Sequence, residues 1–215
     1  MAIAEVTSRA GLRRAWEIDN HSDIDGLFAI IRKASQEKSF NAPVKDFLEP
    51  HLRNRDGPVL DVGSNPLCNT YIPDDKEVVA LDWTVDGLPF SGNRVIADVE
   101  QLPFPDEYFP VVLSKQVYGY ALEPDNLVRE MARVVKREGL FIMIDIEGKI
   151  ARHDREVHAE IPRIRDFEPG CVEIQILELG LVDTNIERIR SWPDYEVAPG
   201  VKRDIALTCL SGLKP

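Results

Sequence analysis

Residues 59–66 read Val59-Leu60-Asp61-Val62-Gly63-Ser64-Asn65-Pro66, an apolar run that passes directly into a turn of small residues. With Pro58 before it, the run Pro58-Val62, bounded by turn formers, describes a short buried strand. Glycine at 63 permits backbone geometry and a close ligand approach that a side chain obstructs, and Pro66 suits the first position of a short helix. A strand-to-helix turn of this sort offers free backbone N–H groups and a positive helix end to a ligand. Taken alone the segment is equally an ordinary βα turn, because it holds one glycine where a dinucleotide fingerprint has three.

Downstream, the same texture repeats. Apolar runs follow at Glu77-Leu81, Arg94-Ala97, Pro110-Leu113 and Leu140-Ile144, and an amphipathic helix is expected from Asp125 to Lys136, burying Leu127, Val128, Met131, Val134 and Val135. Strands without polar alternation, joined by helices, are buried on both faces and belong to a largely parallel sheet. Further helices are expected at Ile150-Ile164 and at Val172-Leu179, the latter closed by Gly180, with final strands near Thr184-Ile189 and Ile205-Leu210. The fold class is therefore α/β: a Rossmann-like, doubly wound, mostly parallel sheet of about seven strands.

Upstream, residues 8–53 read as helical. Leu27, Ile30, Ile31 and Ala34 recur at helical spacing after a capping Ser22, and Asn41 and Pro43 restart a second helix through Val44, Phe47 and Leu48. Residues 1–56 are too few to hold a core of their own, so they are expected as a helical cap on a domain spanning 57–215, within one compact unit.

The chain has 215 residues and a formal net charge of -11, which repels a phosphate backbone and counts against nucleic-acid partners. Arg9, Arg13 and Arg14 form the one basic cluster near the N-terminus and read as a solvated helix face. Cys68, Cys171 and Cys209 are odd in number and widely spaced, which fits neither a disulfide framework nor a zinc site. The N-terminus lacks an unbroken apolar signal region, and no stretch reaches the roughly 18 apolar residues of a membrane span. A cytoplasmic location without membrane partners is expected.

Two more acids extend the pattern set by Asp61. Asp82 ends the second run, 21 residues after Asp61, where such folds place a carboxylate on ribose hydroxyls. Asp98 closes the third run, placed to accept from an exocyclic amine of adenine while Val99 and Leu102 pack on the ring. Asp82 has a plainer reading as a strand-terminal helix cap or turn residue. Three acids on three successive strands nonetheless converge at the carboxyl edge of the sheet, where open α/β folds bind ligands.

The segment ADVEQLPFPDEYFPVVLSKQVYGYALEPDNLVREMARVVKREGLFIMI, together with VLDVGSNP and VVALDWT, resembles the class I S-adenosylmethionine (SAM)-dependent methyltransferases over roughly residues 58–148. The turn GSNPLCN is similar to that of a compact subgroup with an Asn-Pro turn in this loop. The resemblance implies SAM as cofactor, with Asp61, Gly63, Ser64 and Asn65 near its methionine part, and Asp82 with Trp83 at the ribose. It further implies Asp98 and Val99 at the adenine, and Ser114 and Gln116 facing the sulfonium and the acceptor. Three departures stand out: the single glycine of GSNPLCN, Pro110 in place of the common Asp after Phe109, and KREG in place of KPGG. The connection from Asp82 to Arg94 is also too short for the usual helix.

Methyl transfer is an in-line displacement, so positioning supplies most of the catalysis and a base is needed only for acceptors of high pKa. Candidate catalytic groups are His153, backed by Asp154, and Tyr118, with Tyr120, Asp145, Glu147 and His158 nearby in sequence. His153 and His158 are five apart, which suits neither helical metal-ligand spacing, so no metal is expected. Trp16, His21 and Phe28 are candidates to line an acceptor site under the cap. The expected activity is methyl transfer to a small-molecule acceptor. The rival readings are a SAM-assisted reaction without methylation, a non-catalytic interaction subunit, and, last, a nicotinamide-dependent oxidoreductase. The sequence leaves the oligomeric state open, a homodimer included.

Overall fold

The computed structural model describes residues 38–64, 71–83, 93–147, 166–198 and 201–215. Helix α1 (Lys38–Leu52) precedes strands β1 (Val59–Val62), β2 (Val78–Asp82), β3 (Asn93–Ile96) and β4 (Phe109–Lys115). Then come helix α2 (Pro124–Val134), strand β5 (Val135–Glu147), helix α3 (Pro169–Glu178) and strands β6 (Val182–Ala198) and β7 (Val201–Leu213). They form one seven-stranded sheet in the order β3-β2-β1-β4-β5-β7-β6. Strands β1 to β5 run parallel, while β7 is antiparallel to both β5 and β6. The expected mostly parallel, doubly wound sheet is what forms.

Alternation along the strands divides the core in two. Leu60, Val62, Val112 and Phe141 pack with Leu127, Val128 and Met131 of α2 and Val172 and Ile176 of α3 on one face. Val59, Val111, Leu113, Ile142 and Ile144 pack with Val44, Leu48 and Leu52 of α1, and with Tyr71 and Ile72, on the other. Because side chains of successive strand residues point to opposite faces, this also sends Asp61 and Lys115 to the α1 face. The described part of the N-terminal extension is thus a layer of the core.

Several boundaries differ from expectation. Helix α1 starts at Lys38 and runs through Pro43 and Pro50, so the proline at 43 is an interior residue rather than a helix start. Its apolar residues at 44, 48 and 52 are fully buried, and that packing outweighs the backbone bond each proline forgoes. Strand β5 begins at Val135, directly where α2 ends, well before Leu140. Strands β6 and β7 are much longer than the expected segments because they pair as a hairpin from Val182↔Leu213 to Ala198↔Val201, and pairing satisfies backbone groups where the sequence has no apolar run. The expected closure of α3 holds, with Gly180 at φ +87.

Two departures in the sequence acquire local reasons. Pro110 sits in the central strand β4 where the register to β5 shifts between Phe109 and Val111, an irregularity that tolerates the missing N–H. In KREG, Glu138 adopts φ 59, a left-handed conformation that the glycine usual at this point enters without strain.

Candidate functional site

The sheet order reverses between β1 and β4, so the crevice beyond their carboxyl ends is the ligand-binding position of an open α/β fold. Asp61, Ser64, Asp82, Ser114, Lys115 and Gln116 all belong to the ends of β1, β2 and β4 or to the residues just after them. The register sets Val62 beside Ser114 and beside Leu81, so the strand ends lie level.

Gly63 has φ +74, and a Cβ added there lies 2.3 Å from Val117 Cγ2. The close approach that glycine permits is therefore made by a valine of the loop after β4. Nor are the first amides of the turn free, contrary to the expectation for a strand-to-helix turn. Gly63 N–H and Ser64 N–H both donate to the Leu81 carbonyl, at 2.8 and 2.9 Å, because the turn stays in register with β2. Asn65 lies outside the described residues.

Asp61 is fully buried, and its Oδ1 accepts a 2.7 Å hydrogen bond from the Tyr71 hydroxyl. Its Oδ2 has no hydrogen-bond partner among the described residues, and neither have the buried hydroxyls of Ser64 and Ser114. Burial pushes the Asp61 carboxyl up from its ordinary value, opposed by the Tyr71 hydrogen bond, the neighbouring Ser64 hydroxyl and the positive charge of Lys115. Buried polar atoms left without partners are costly in a fold that serves only stability, and these three lie at or just beyond the carboxyl ends of β1 and β4.

Lys115 escaped the sequence reading. It is 8% exposed, donates from Nζ to Gln116 Oε1 at 2.6 Å and stands 5.3 Å from the centre of the Tyr71 ring. Gln116 has φ 57, and its N–H donates to the Ile144 carbonyl of β5. A lysine continuing an apolar strand was the available signal in Val111-Val112-Leu113-Ser114-Lys115. Nothing in the sequence linked it to Tyr71.

Asp82 ends β2 and is half-buried, as is Trp83. Asp98 is buried, and its Oδ1 accepts from Glu100 N–H at 2.8 Å, which caps the turn after β3. It also borders a cleft of about 280 Å³ with Glu100, Gln101, Asn126, Arg129 and Glu130. Val99 and Leu102 are buried within the α2-side core. Glu100 Oε1 accepts from Leu122 N–H and Glu123 N–H, fixing the entry to α2.

Helix α2 pins the acid-LPF-P segment from the other side. Glu130 accepts from Leu102 N–H, while Arg133 donates to the carbonyls of Leu102 and Phe104 and to Asp106. The carboxylates of Glu130 and Asp106 hold the Arg133 guanidinium strongly protonated.

Of the acceptor-side candidates, Tyr118 is 7% exposed, and its ring meets Phe167 edge to face at 5.6 Å. Tyr120 is exposed. Asp145 is buried at the end of β5 and accepts from Ile146 N–H. Glu147 accepts from Arg188 and Thr208, both at 2.9 Å, and the Arg188 pairing lowers its pKa. His153, Asp154, His158, Trp16, His21, Phe28 and Cys68 lie outside the described residues. Among the described residues no group of three or more His, Cys, Asp or Glu is arranged to hold a metal, and no helix is long and apolar enough to cross a membrane.

Residues 61–143 match the family model described as a methyltransferase domain. The chain is 27% identical over 100 residues to the uncharacterized methyltransferase YcgJ of Bacillus subtilis, covering 40% of each. It is 27% identical over 152 residues to the fatty-acid O-methyltransferase of Mycolicibacterium smegmatis, covering 66% of this chain and 53% of that one. The chain thus spans about half the length, or less, of these curated relatives. Among solved structures, the Burkholderia thailandensis 1,6-didemethyltoxoflavin-N1-methyltransferase, with 1,6-didemethyltoxoflavin and S-adenosylhomocysteine bound, aligns with a TM-score of 0.65 at 13% identity, over 99% of this chain and 94% of that one. That likeness is one of fold.

Proposed function

We propose that this chain, whose residues 61–143 match a methyltransferase domain, is a class I enzyme that transfers a methyl group from SAM to a small-molecule acceptor. The observation that carries the reading is the set of unpartnered buried polar atoms, Asp61 Oδ2, Ser64 Oγ and Ser114 Oγ, at the β1/β4 switch point. A ligand carrying a cationic amine and hydroxyl groups answers that donor and acceptor set, so the residues present fit the cofactor. Bound SAM supplies the activated methyl group.

Asp82, at the end of β2, is the proposed partner of the ribose hydroxyls, with Trp83 beside it, and Asp98 and Val99 border the adenine. Gln116 reaches the cofactor at the wall it shares with the acceptor side. Tyr118, held in the core by Phe167, serves to shape that wall, and His153 with Asp154 is the proposed base where the acceptor is a hydroxyl. The net charge of -11, a relative named for a fatty acid and a fold neighbour named for 1,6-didemethyltoxoflavin favour a small acceptor over a polyanion.

The test is calorimetric titration of the full chain with SAM and with S-adenosylhomocysteine, followed by a methyl-transfer assay. Micromolar binding to the wild type, weakened by about tenfold or more in Asp82→Ala, supports the cofactor site. Lost turnover with retained binding in His153→Ala supports the base. The engaged amides of Gly63 and Ser64 favour one alternative, a non-catalytic subunit of the same fold, and absence of binding to either ligand selects it.

A further inference from the structure

Lys115 is the one lysine buried at the carboxyl edge of the described sheet, and its surroundings account for it in an unusual way. An ammonium withdrawn from water needs partners, and it finds the Gln116 amide oxygen at 2.6 Å, the face of the Tyr71 ring at 5.3 Å and the field of Asp61. An ammonium only donates, so the Gln116 amide must turn its oxygen toward it. The two N–H donors of that amide are left for another partner, and no described residue takes them. On the other side of the cluster, Tyr71 occupies Asp61 Oδ1, which leaves Oδ2 as the one open acceptor of the carboxylate.

We propose that Lys115 is a positioning residue that, through Gln116 and together with Tyr71, sets one carboxylate oxygen of Asp61 against a cationic group of the ligand and the Gln116 amide N–H against a ligand oxygen. This rests on the SAM-binding reading above. An ammonium and a carboxylate on one carbon, the α-amino-acid end of the cofactor, match the two poles. Burial works against an ionised Asp61, and the charge of Lys115 and the Tyr71 hydroxyl work for it, so the cluster also keeps the anion available. Among the described residues, the polar and titratable groups facing Asp61 are Tyr71, Lys115 and, from its own strand end, Ser64.

The experiment compares three probes on the wild type, Lys115→Met, Lys115→Arg and Tyr71→Phe. The probes are SAM, S-adenosylhomocysteine, and 5′-methylthioadenosine, which lacks the amino-acid end. Calorimetric titrations run between about pH 5 and 8. In Lys115→Met, affinity for SAM and S-adenosylhomocysteine falls about tenfold or more, affinity for 5′-methylthioadenosine is unchanged, and Lys115→Arg recovers most of the loss. Binding needs ionised Asp61 and is lost as pH falls, so the midpoint of that loss moves to higher pH in Lys115→Met and in Tyr71→Phe. Should Lys115→Met not fold, Tyr71→Phe carries the same comparison, since it removes one hydroxyl and keeps the ring. Equal losses for all three probes, or an unmoved pH midpoint with unchanged S-adenosylhomocysteine affinity, overturn the proposal. A wild type that binds none of the probes instead overturns the cofactor reading itself.

Discussion

Replacing Gly63 with alanine tests how the β1 turn is locked to the loop after β4. At φ +74 an L-residue pays about 1–2 kcal/mol relative to glycine. The new methyl also lies 2.3 Å from Val117 Cγ2 and 3.0 Å from Cγ1, an overlap that costs about 1–3 kcal/mol as Val117 or the loop moves. The sum is about 2–5 kcal/mol, which for a chain of this size lowers the melting temperature by roughly 4–20 °C. Val117→Ala removes both γ carbons and leaves only the 3.2 Å contact to its Cβ, so the overlap vanishes while the backbone cost stays. Urea denaturation of the wild type, both single variants and the double variant forms a closed cycle. The double variant is expected to be more stable than the sum of the singles by about 1–3 kcal/mol. Strict additivity, or a Gly63→Ala cost below about 1 kcal/mol, refutes the contact as the reason for glycine at this position.

The left-handed Glu138 leads to the opposite sign: Glu138→Gly relieves the strain at φ 59 and raises stability by about 0.5–1 kcal/mol, measurable as a higher denaturation midpoint, and a drop in stability counts against it. Arg133→Met removes the donor shared by the Leu102 and Phe104 carbonyls, Glu130 and Asp106, at a cost of about 1–3 kcal/mol. Hydrogen exchange should then show lost protection at the Leu102 amide while β1 keeps its own, whereas uniform loss across the sheet speaks against a local role.

Much of the fold was legible because its signals are local. Buried strands such as Val59–Val62 and Phe109–Lys115 announce themselves as apolar runs, and α2 by its apolar face. The strands β6 and β7 were read too short because their length comes from pairing with each other, which leaves no apolar run between Trp192 and Lys202 for a sequence to display. Pro43 misled for a related reason. Its local meaning is a helix start, and only the packing of Val44, Leu48 and Leu52 on the sheet makes it interior to α1.

The candidate site divides in the same way. Asp61, Asp82 and Asp98 could be singled out from their places at strand ends, because a carboxylate after an apolar run is a pattern along the chain. By itself the sequence determined the α/β class, the order of strands and helices from 59 to 147 and the acids at the sheet edge, since each follows from periodicity and turn chemistry within a few residues. The tertiary structure alone decided that Gly63 makes room for Val117, that the Gly63 and Ser64 amides serve the Leu81 carbonyl, and that Tyr71, Lys115 and Gln116 gather around Asp61. Those contacts join residues from separate strands and loops, and they come about only when parallel pairing brings β1, β2 and β4 level with one another.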